Sequence, residues 1–359
     1  MQVEHRVSTP SWITSYFTSQ KQQKIVHEAL RKRERARQAI RSYHLEGLQN
    51  PPKDVPRPIF DFYSIAQGTH PDHERKNRYC DIVPYDRTRV LDPRDSQRYL
   101  NASWVLERFG HKWWIAAQAP LPQTFHAFLS LLQYPSTLPS RTTDGPRSTR
   151  IRTIAQLTPF IEGDRRKAHE YLPTRVGQSR VHSPEAGNQS PALSLRLLQV
   201  EQIEEACCIK STVSMFPEGD ESKTVIFHHL FYTAWPDHGV PEGKDEEGLM
   251  AFLRLVDSSN RNDSDDPDPP IVVGCSAGVG RTGTFIALSS ILRSYGFLSK
   301  PSFPDELSAD SPLGPLPSAL DSDVVAQEVD SLREQRTTMV QQDSQLQIIY
   351  ALLRTAFRV

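Results

Sequence analysis

Residues 271–285, IVVGCSAGVGRTGTF, run a β-branched stretch directly into a loop of small residues and then a helix-forming segment. In such a loop successive backbone N–H groups turn inward, and the helix N-terminus adds positive potential, so the sequence describes an anion site. Three phosphate chemistries use this architecture. A nucleotide-hydrolase P-loop needs lysine after its second glycine; Gly278 and Gly283 have the spacing, but Thr284 stands at the lysine position. The dinucleotide fingerprint G-x-G-x-x-G is present as Gly278, Gly280 and Gly283. It requires an acidic residue about 20 positions on, after a second parallel strand. Here that region is the proline-rich stretch around Pro301–Pro304, so an oxidoreductase is a remote alternative. The third chemistry is C-x5-R, with Cys275 opening the loop and Arg281 closing it. A cysteine at the mouth of an anion site has its pKa lowered from about 8.5 toward roughly 3.5–7.5. Arginine offers a planar fork for two phosphate oxygens.

Working outward, Arg152–Leu157, Cys208–Met215, Thr224–Leu230 and Ile271–Gly274 read as strands. Thr284–Tyr295 reads as a helix stopped by Gly296. Apolar residues at Val325, Val329, Leu332, Leu346, Ile349, Tyr350 and Leu353 have helical spacing, interrupted over 331–345, which predicts two helices joined by a polar turn. The expected fold class is α/β: a single domain with a central twisted mixed β-sheet flanked by helices. Segments near 135–150, 176–194, 257–270 and 299–323 are rich in Pro, Ser, Gly and Asp and read as mobile surface insertions within a catalytic domain spanning 51–359. Residues 1–50 form a basic helical extension, with Lys21, Lys24, Arg31, Lys32, Arg33, Arg35, Arg37 and Arg41 against Glu28 and Glu34. A basic helix can lie on an anionic membrane or RNA; the reading adopted is a solvated helix flanking the domain.

The 359 residues carry a net charge of −1 and 37% apolar residues, so nothing global attracts nucleic acid, and no apolar run approaches a membrane span. The four cysteines, Cys80, Cys207, Cys208 and Cys275, match no disulfide framework or zinc spacing. No metal or cofactor is expected, and a reduced, cytoplasmic location (nuclear as an alternative) fits a usable thiol.

The loop resembles the C-S-A-G-x-G-R-[ST]-G motif of the tyrosine-specific protein tyrosine phosphatases, and four further motifs follow in that family's order. Trp235–Pro241 (WPDHGVP) resembles its mobile acid loop. Lys76–Tyr79 with Asp81 and Val83–Asp86 resembles its phosphotyrosine-recognition loop. Arg98–Ser103 and Ile115–Pro122 are similar to its core motifs, with Ala119 in place of the usual glycine, and Gln335–Gln345 to its glutamine loop. The likeness runs from about Phe60 to Phe357 and points to a single-domain, non-receptor member.

The resemblance implies a metal-free, cofactor-free phosphotyrosine hydrolase. Cys275 is then the nucleophile and Arg281 the phosphate clamp, while Thr282 eases departure of the thiolate. Ser276, Ala277, Gly278, Val279 and Gly280 line the phosphate. Asp237 is the general acid and then base, and Gln341 positions water with help from Gln345. Tyr79 stacks on the substrate ring, Asp81 holds substrate backbone amides, Lys167 lies beside the pocket and Glu162 braces Arg281. Gly274 stands where the family usually has histidine, which predicts an active enzyme with a higher thiol pKa than is typical. The same substitution leaves a second reading, a phosphotyrosine-binding protein with little turnover. Expected partners are phosphotyrosine proteins and proline-directed kinases acting at Ser183-Pro184, Ser190-Pro191 and Ser311-Pro312, with the chain a monomer. A thiol of this kind is also open to reversible oxidation.

Overall fold

A computed structural model describes residues 8–139, 147–236, 239–262, 264–307 and 310–358. The chain opens with helices α1 (Ser11–Thr18), α2 (Gln20–Leu45) and α3 (Arg57–Phe62), followed by strands β1 (Ala102–Leu106) and β2 (Trp113–Gln118). Helix α4 (Phe125–Gln133) comes next, then β3 (Ser136–Thr137), β4 (Ser148–Thr149), β5 (Thr153–Gln156), β6 (Ile161–Glu162) and β7 (Arg165–Arg166). Strands β8 (Ser179–His182), β9 (Leu193–Ile203), β10 (Cys208–Pro217) and β11 (Val225–Tyr232) lead to α5 (Lys244–Ser259). The last elements are β12 (Ile271–Cys275), α6 (Gly280–Ser294), α7 (Val324–Gln335) and α8 (Asp343–Ala356).

Eight strands form one mixed sheet in the order β1-β2-β12-β5-β11-β10-β9-β8. Its centre is parallel: β12 pairs with β2 and β5, and β5 pairs with β11. A central parallel strand is covered on both faces and must be apolar on both; Ile271, Val272 and Val273 are all buried. Helix α6 is buried around nearly its whole circumference, as its Phe285–Leu288 run requires. The expected α/β class with a central mixed sheet between helices is the observed one, and Cys275 falls at the carboxyl end of a central parallel strand, where open α/β sheets place their ligands. The two C-terminal helices break over residues 336–342, as their pattern predicted.

Described parts of three of the segments read as insertions make contacts with the rest of the domain; residues 140–146, within the fourth, lie outside the described residues. Residues 176–194 contain β8, which pairs with β9 as the outer strand of the main sheet. Residues 257–270 supply Asn260 and Asp268, both buried; Asp268 pairs with Lys112 and accepts from Asn260 Nδ2 at 2.9 Å. These buried polar residues are satisfied by a partner more than 100 positions away and by a local turn, which composition does not report. In the 299–323 segment, Ser311 donates to Glu334 at 2.6 Å and accepts from Arg33 at 2.7 Å.

Helix α2 is also not the solvated helix its charge suggested. Arg33, Arg37 and Arg41, four residues apart on one face, are buried. Arg33 and Arg37 meet Asp330 at 2.8 and 2.5 Å, Arg37 meets Glu334 at 2.6 Å, and Arg41 meets Glu34 at 2.8 Å. Buried guanidinium groups cost several kcal/mol each unless paired; α7 provides two of the carboxylates.

Candidate active site

The loop after β12 is shaped by where its carbonyls go. The Ala119 amide takes the carbonyls of Cys275 (2.9 Å) and Ser276 (3.1 Å), and the Val340 amide takes that of Val279 at 3.2 Å. Arg336 takes the remaining two, Nε to Gly278 O at 2.8 Å and Nη2 to Ala277 O at 3.0 Å. With five successive carbonyls held outward, the intervening amides face the other way. Among the described residues, none of the amides of Ser276, Ala277, Gly278 or Val279 donates to a carbonyl. Gly278 has φ +72°, and a Cβ there would lie 2.2 Å from Ala117 O, so this turn admits no side chain.

Cys275 is buried at the mouth of the loop. Burial pushes its thiol up, but the hydroxyl and amide of Thr282, the charge of Arg281 and the amide of Val279 outweigh burial, and the thiol lies below its ordinary value. The Thr282 hydroxyl is buried without an oxygen or nitrogen partner, consistent with its turning to the sulfur. Beneath the loop, Arg336 is fully buried, its Nη1 on Ser103 Oγ at 3.1 Å and Nη2 on Asn101 Oδ1 at 2.8 Å. Burial pulls it down to about 10, which still leaves it cationic at neutral pH.

Arg281, in the first turn of α6, is held by Glu162, by Thr158 Oγ1 at 3.1 Å and by Leu157 O at 3.3 Å. Its Nη2 donates to Pro236 O at 3.0 Å, and its guanidinium lies 5.7 Å from the Trp235 ring. The arginine therefore touches the start of the WPDHGVP segment; Asp237 itself lies outside the described residues. Behind Thr158, its carbonyl accepts from Gln156 Nε2 at 2.8 Å, and Gln156 Oε1 accepts from His229 Nε2 at 3.1 Å. His229 is fully buried and pulled down to about 4 by burial, so it is neutral and donates.

The Lys76–Asp81 segment lies against the loop. Ser276 Oγ donates to Lys167 O at 2.8 Å, so the Tyr79 hydroxyl donates to Ser276, also at 2.8 Å. Asn101 Nδ2 pins Asn77 Oδ1 (2.9 Å) and Ile82 O (2.6 Å), and Gln118 accepts from the Arg78 amide at 2.8 Å. Asp81 and Cys80 are exposed. Lys167 Nζ is 3.8 Å from Glu162. Gln341 is exposed in the turn after α7. Gln345 is buried against the loop, where a Cβ on Gly280 would come within 2.8 Å of its Nε2. The structure thus brings together Cys275, Ser276–Thr282, Glu162, Lys167, Tyr79 and Gln345.

Gly274, the position that departs from the family pattern, has a physical reason. A Cβ there would sit 2.8 Å from Ala117 O, in the paired strand β2. Sequence reading passed over Arg336, Thr158, Gln156 and His229. Arg336 lies within the Gln335–Gln345 motif, but its neighbours Gln335, Thr337 and Thr338 are polar, so nothing local marks it as buried.

The profile of one known family, described as Protein-tyrosine phosphatase, matches residues 73–136 and 147–303. Receptor-type tyrosine-protein phosphatase H of Homo sapiens is 32% identical over 250 residues, covering 67% of this chain and 20% of that protein. Tyrosine-protein phosphatase 99A of Drosophila melanogaster is 32% identical over 245 residues, 66% of this chain and 16% of that protein. Receptor-type tyrosine-protein phosphatase F of Rattus norvegicus is 32% identical over 221 residues, 60% and 10% respectively. The chain thus spans a tenth to a fifth of the length of these curated relatives. Among the described residues no helix is long and apolar enough to cross a membrane.

Proposed function

Because the chain belongs to the protein-tyrosine phosphatase family, we propose that it hydrolyses phosphotyrosine in proteins through a cysteinyl-phosphate on Cys275. The observation that carries this reading is the set of five outward-held carbonyls, which leaves inward amides around a thiol lowered by Thr282 and Arg281. Donors fixed in advance where charge develops are the largest catalytic contribution available to phosphoryl transfer.

The Cys275 thiolate attacks phosphorus in line, the P–S bond forms as the P–O bond to tyrosine breaks, and Asp237 gives its proton to the departing phenolate. Phenol has a pKa of about 10, so an unprotonated leaving group would be slow to depart. Arg281 and the loop amides hold the equatorial oxygens. Water positioned by Gln341 then attacks phosphorus, Asp237 takes its proton, and the sulfur leaves as a thiolate stabilised by the Thr282 hydroxyl. Tyr79 stacks on the phosphorylated ring, Asp81 meets the substrate backbone, and the chain acts as a monomer in the cytoplasm.

Steady turnover of p-nitrophenyl phosphate and of phosphotyrosine peptides, abolished by Cys275→Ser, is the expected result. Stoichiometric binding of a phosphotyrosine peptide without release of phosphate would instead make it a binding protein.

A further inference from the structure

The turn between α7 and α8 that carries Gln341 is strained. Thr338 and Val340 have φ +53° and +55°, the left-handed region, where a β-branched residue is a true outlier. Such residues persist only where their surroundings over-determine them. The grip on one side of Gln341 is Arg333, which is buried: Nε donates to Met339 O at 2.9 Å and Nη2 to Val340 O at 2.8 Å. Its third contact runs from Nη1 to Leu30 O, in the middle of α2, at 3.1 Å. The grip on the other side is Asp343, two residues after Gln341, which meets His27 Nδ1 at 3.2 Å and the guanidinium of Arg31. His27 Nε2 lies 3.0 Å from the Tyr16 hydroxyl, and Tyr16 stacks on Tyr350 of α8 with centroids 3.6 Å apart. The N-terminal helices thus hold both flanks of the strained turn.

We propose that His27 and Arg31 of α2 are positioning residues for the second half of the reaction, holding Gln341 where it orients water for breakdown of the cysteinyl-phosphate. This rests on the reading of Gln341 given above. Removing His27 and Arg31 frees Asp343 and its side of the turn, while Arg333 still holds Met339 O and Val340 O and the Val340 amide keeps its bond to Val279 O in the phosphate loop. That slows attack by water and leaves formation of the cysteinyl-phosphate, which uses the loop, Arg281 and Asp237, at its original rate.

The test uses the full chain carrying His27→Ala and Arg31→Ala together, a phosphotyrosine peptide labelled with 32P, and acid quenching. The expected result is turnover per active site lower by about five- to tenfold, with the pre-steady-state rate of phosphoenzyme formation unchanged and the phosphoenzyme fraction at steady state increased. Asp343→Asn reproduces the defect, and adding it to the double variant costs nothing further, since residues acting through one contact are not additive. Normalising to burst amplitude removes any unfolded fraction. Equal slowing of both steps, or unchanged turnover while Gln341→Ala accumulates phosphoenzyme, overturns the inference alone. If Gln341→Ala itself turns over normally without accumulating phosphoenzyme, the reading of Gln341 fails first.

Discussion

Arg336 Nε donates to the carbonyl of Gly278 at 2.8 Å, linking the α7–α8 turn to the floor of the phosphate loop. The same guanidinium holds Ala277 O, Ser103 and Asn101, so one buried cation orients two loop carbonyls and the residue that pins Asn77. Arg336→Met removes these donors and leaves the carbonyls without partners. The loop then no longer holds its amides inward. A fall in kcat/KM of about a hundredfold, with phosphate inhibition weakened in parallel, is expected on p-nitrophenyl phosphate; an unchanged phosphate Ki would show that the loop keeps its shape without Arg336.

The thiol of Cys275 lies below its ordinary value despite burial, because Thr282, Arg281 and Val279 favour the thiolate. The thiolate is the reactive form, so iodoacetate alkylation falls as pH drops through the folded-state pKa, and that midpoint lies below the ordinary thiol value. Thr282→Val deletes the hydroxyl and leaves the other contributions, so the alkylation midpoint moves upward. A midpoint that stays in place would assign the lowering to Arg281 and the amides alone.

Gly274 marks a close approach of β12 to β2. Placing His or Ala there drives Cβ to within 2.8 Å of Ala117 O, so one of the two central strands must shift. Overpacking of this kind costs about 1–3 kcal/mol. Gly274→His is therefore expected to lower the urea midpoint without raising kcat, even though histidine is the usual family residue. A gain in kcat with undiminished stability would contradict this.

His229 is buried neutral, with its folded-state value pulled to about 4 against an ordinary 6.5. Lowered in the fold, this base binds its proton first in the unfolded chain. Stability is complete above pH 6.5 and is lost as pH falls from 6.5 toward 4, by about 3 kcal/mol in all. Urea unfolding at pH 7.5 and 5.0 measures this. His229→Gln is expected to flatten the dependence by about 2 kcal/mol over that interval. The glutamine amide still offers an N–H to Gln156 Oε1, so Gln156 keeps bracing Thr158 O behind Arg281 while the titration is removed.

Motifs whose chemistry is local were open to reading in the linear chain. The β-branched run into CSAGVGRTG reads as a strand feeding an anion loop and the interruption after Leu332 as a break between helices, because neighbouring residues favour both. What tertiary structure alone decided are pairings across long separations. Arg33 and Arg37 looked like a solvated face until α7 placed Asp330 and Glu334 against them, nearly 300 residues on. Nothing in the composition of residues 176–194 and 257–270 showed that β8 would join the sheet or that Asp268 would meet Lys112. Charge and proline content report the cost of burying a segment; whether a partner offsets that cost depends on which residues the fold brings within hydrogen-bond distance, and sequence spacing carries no record of it.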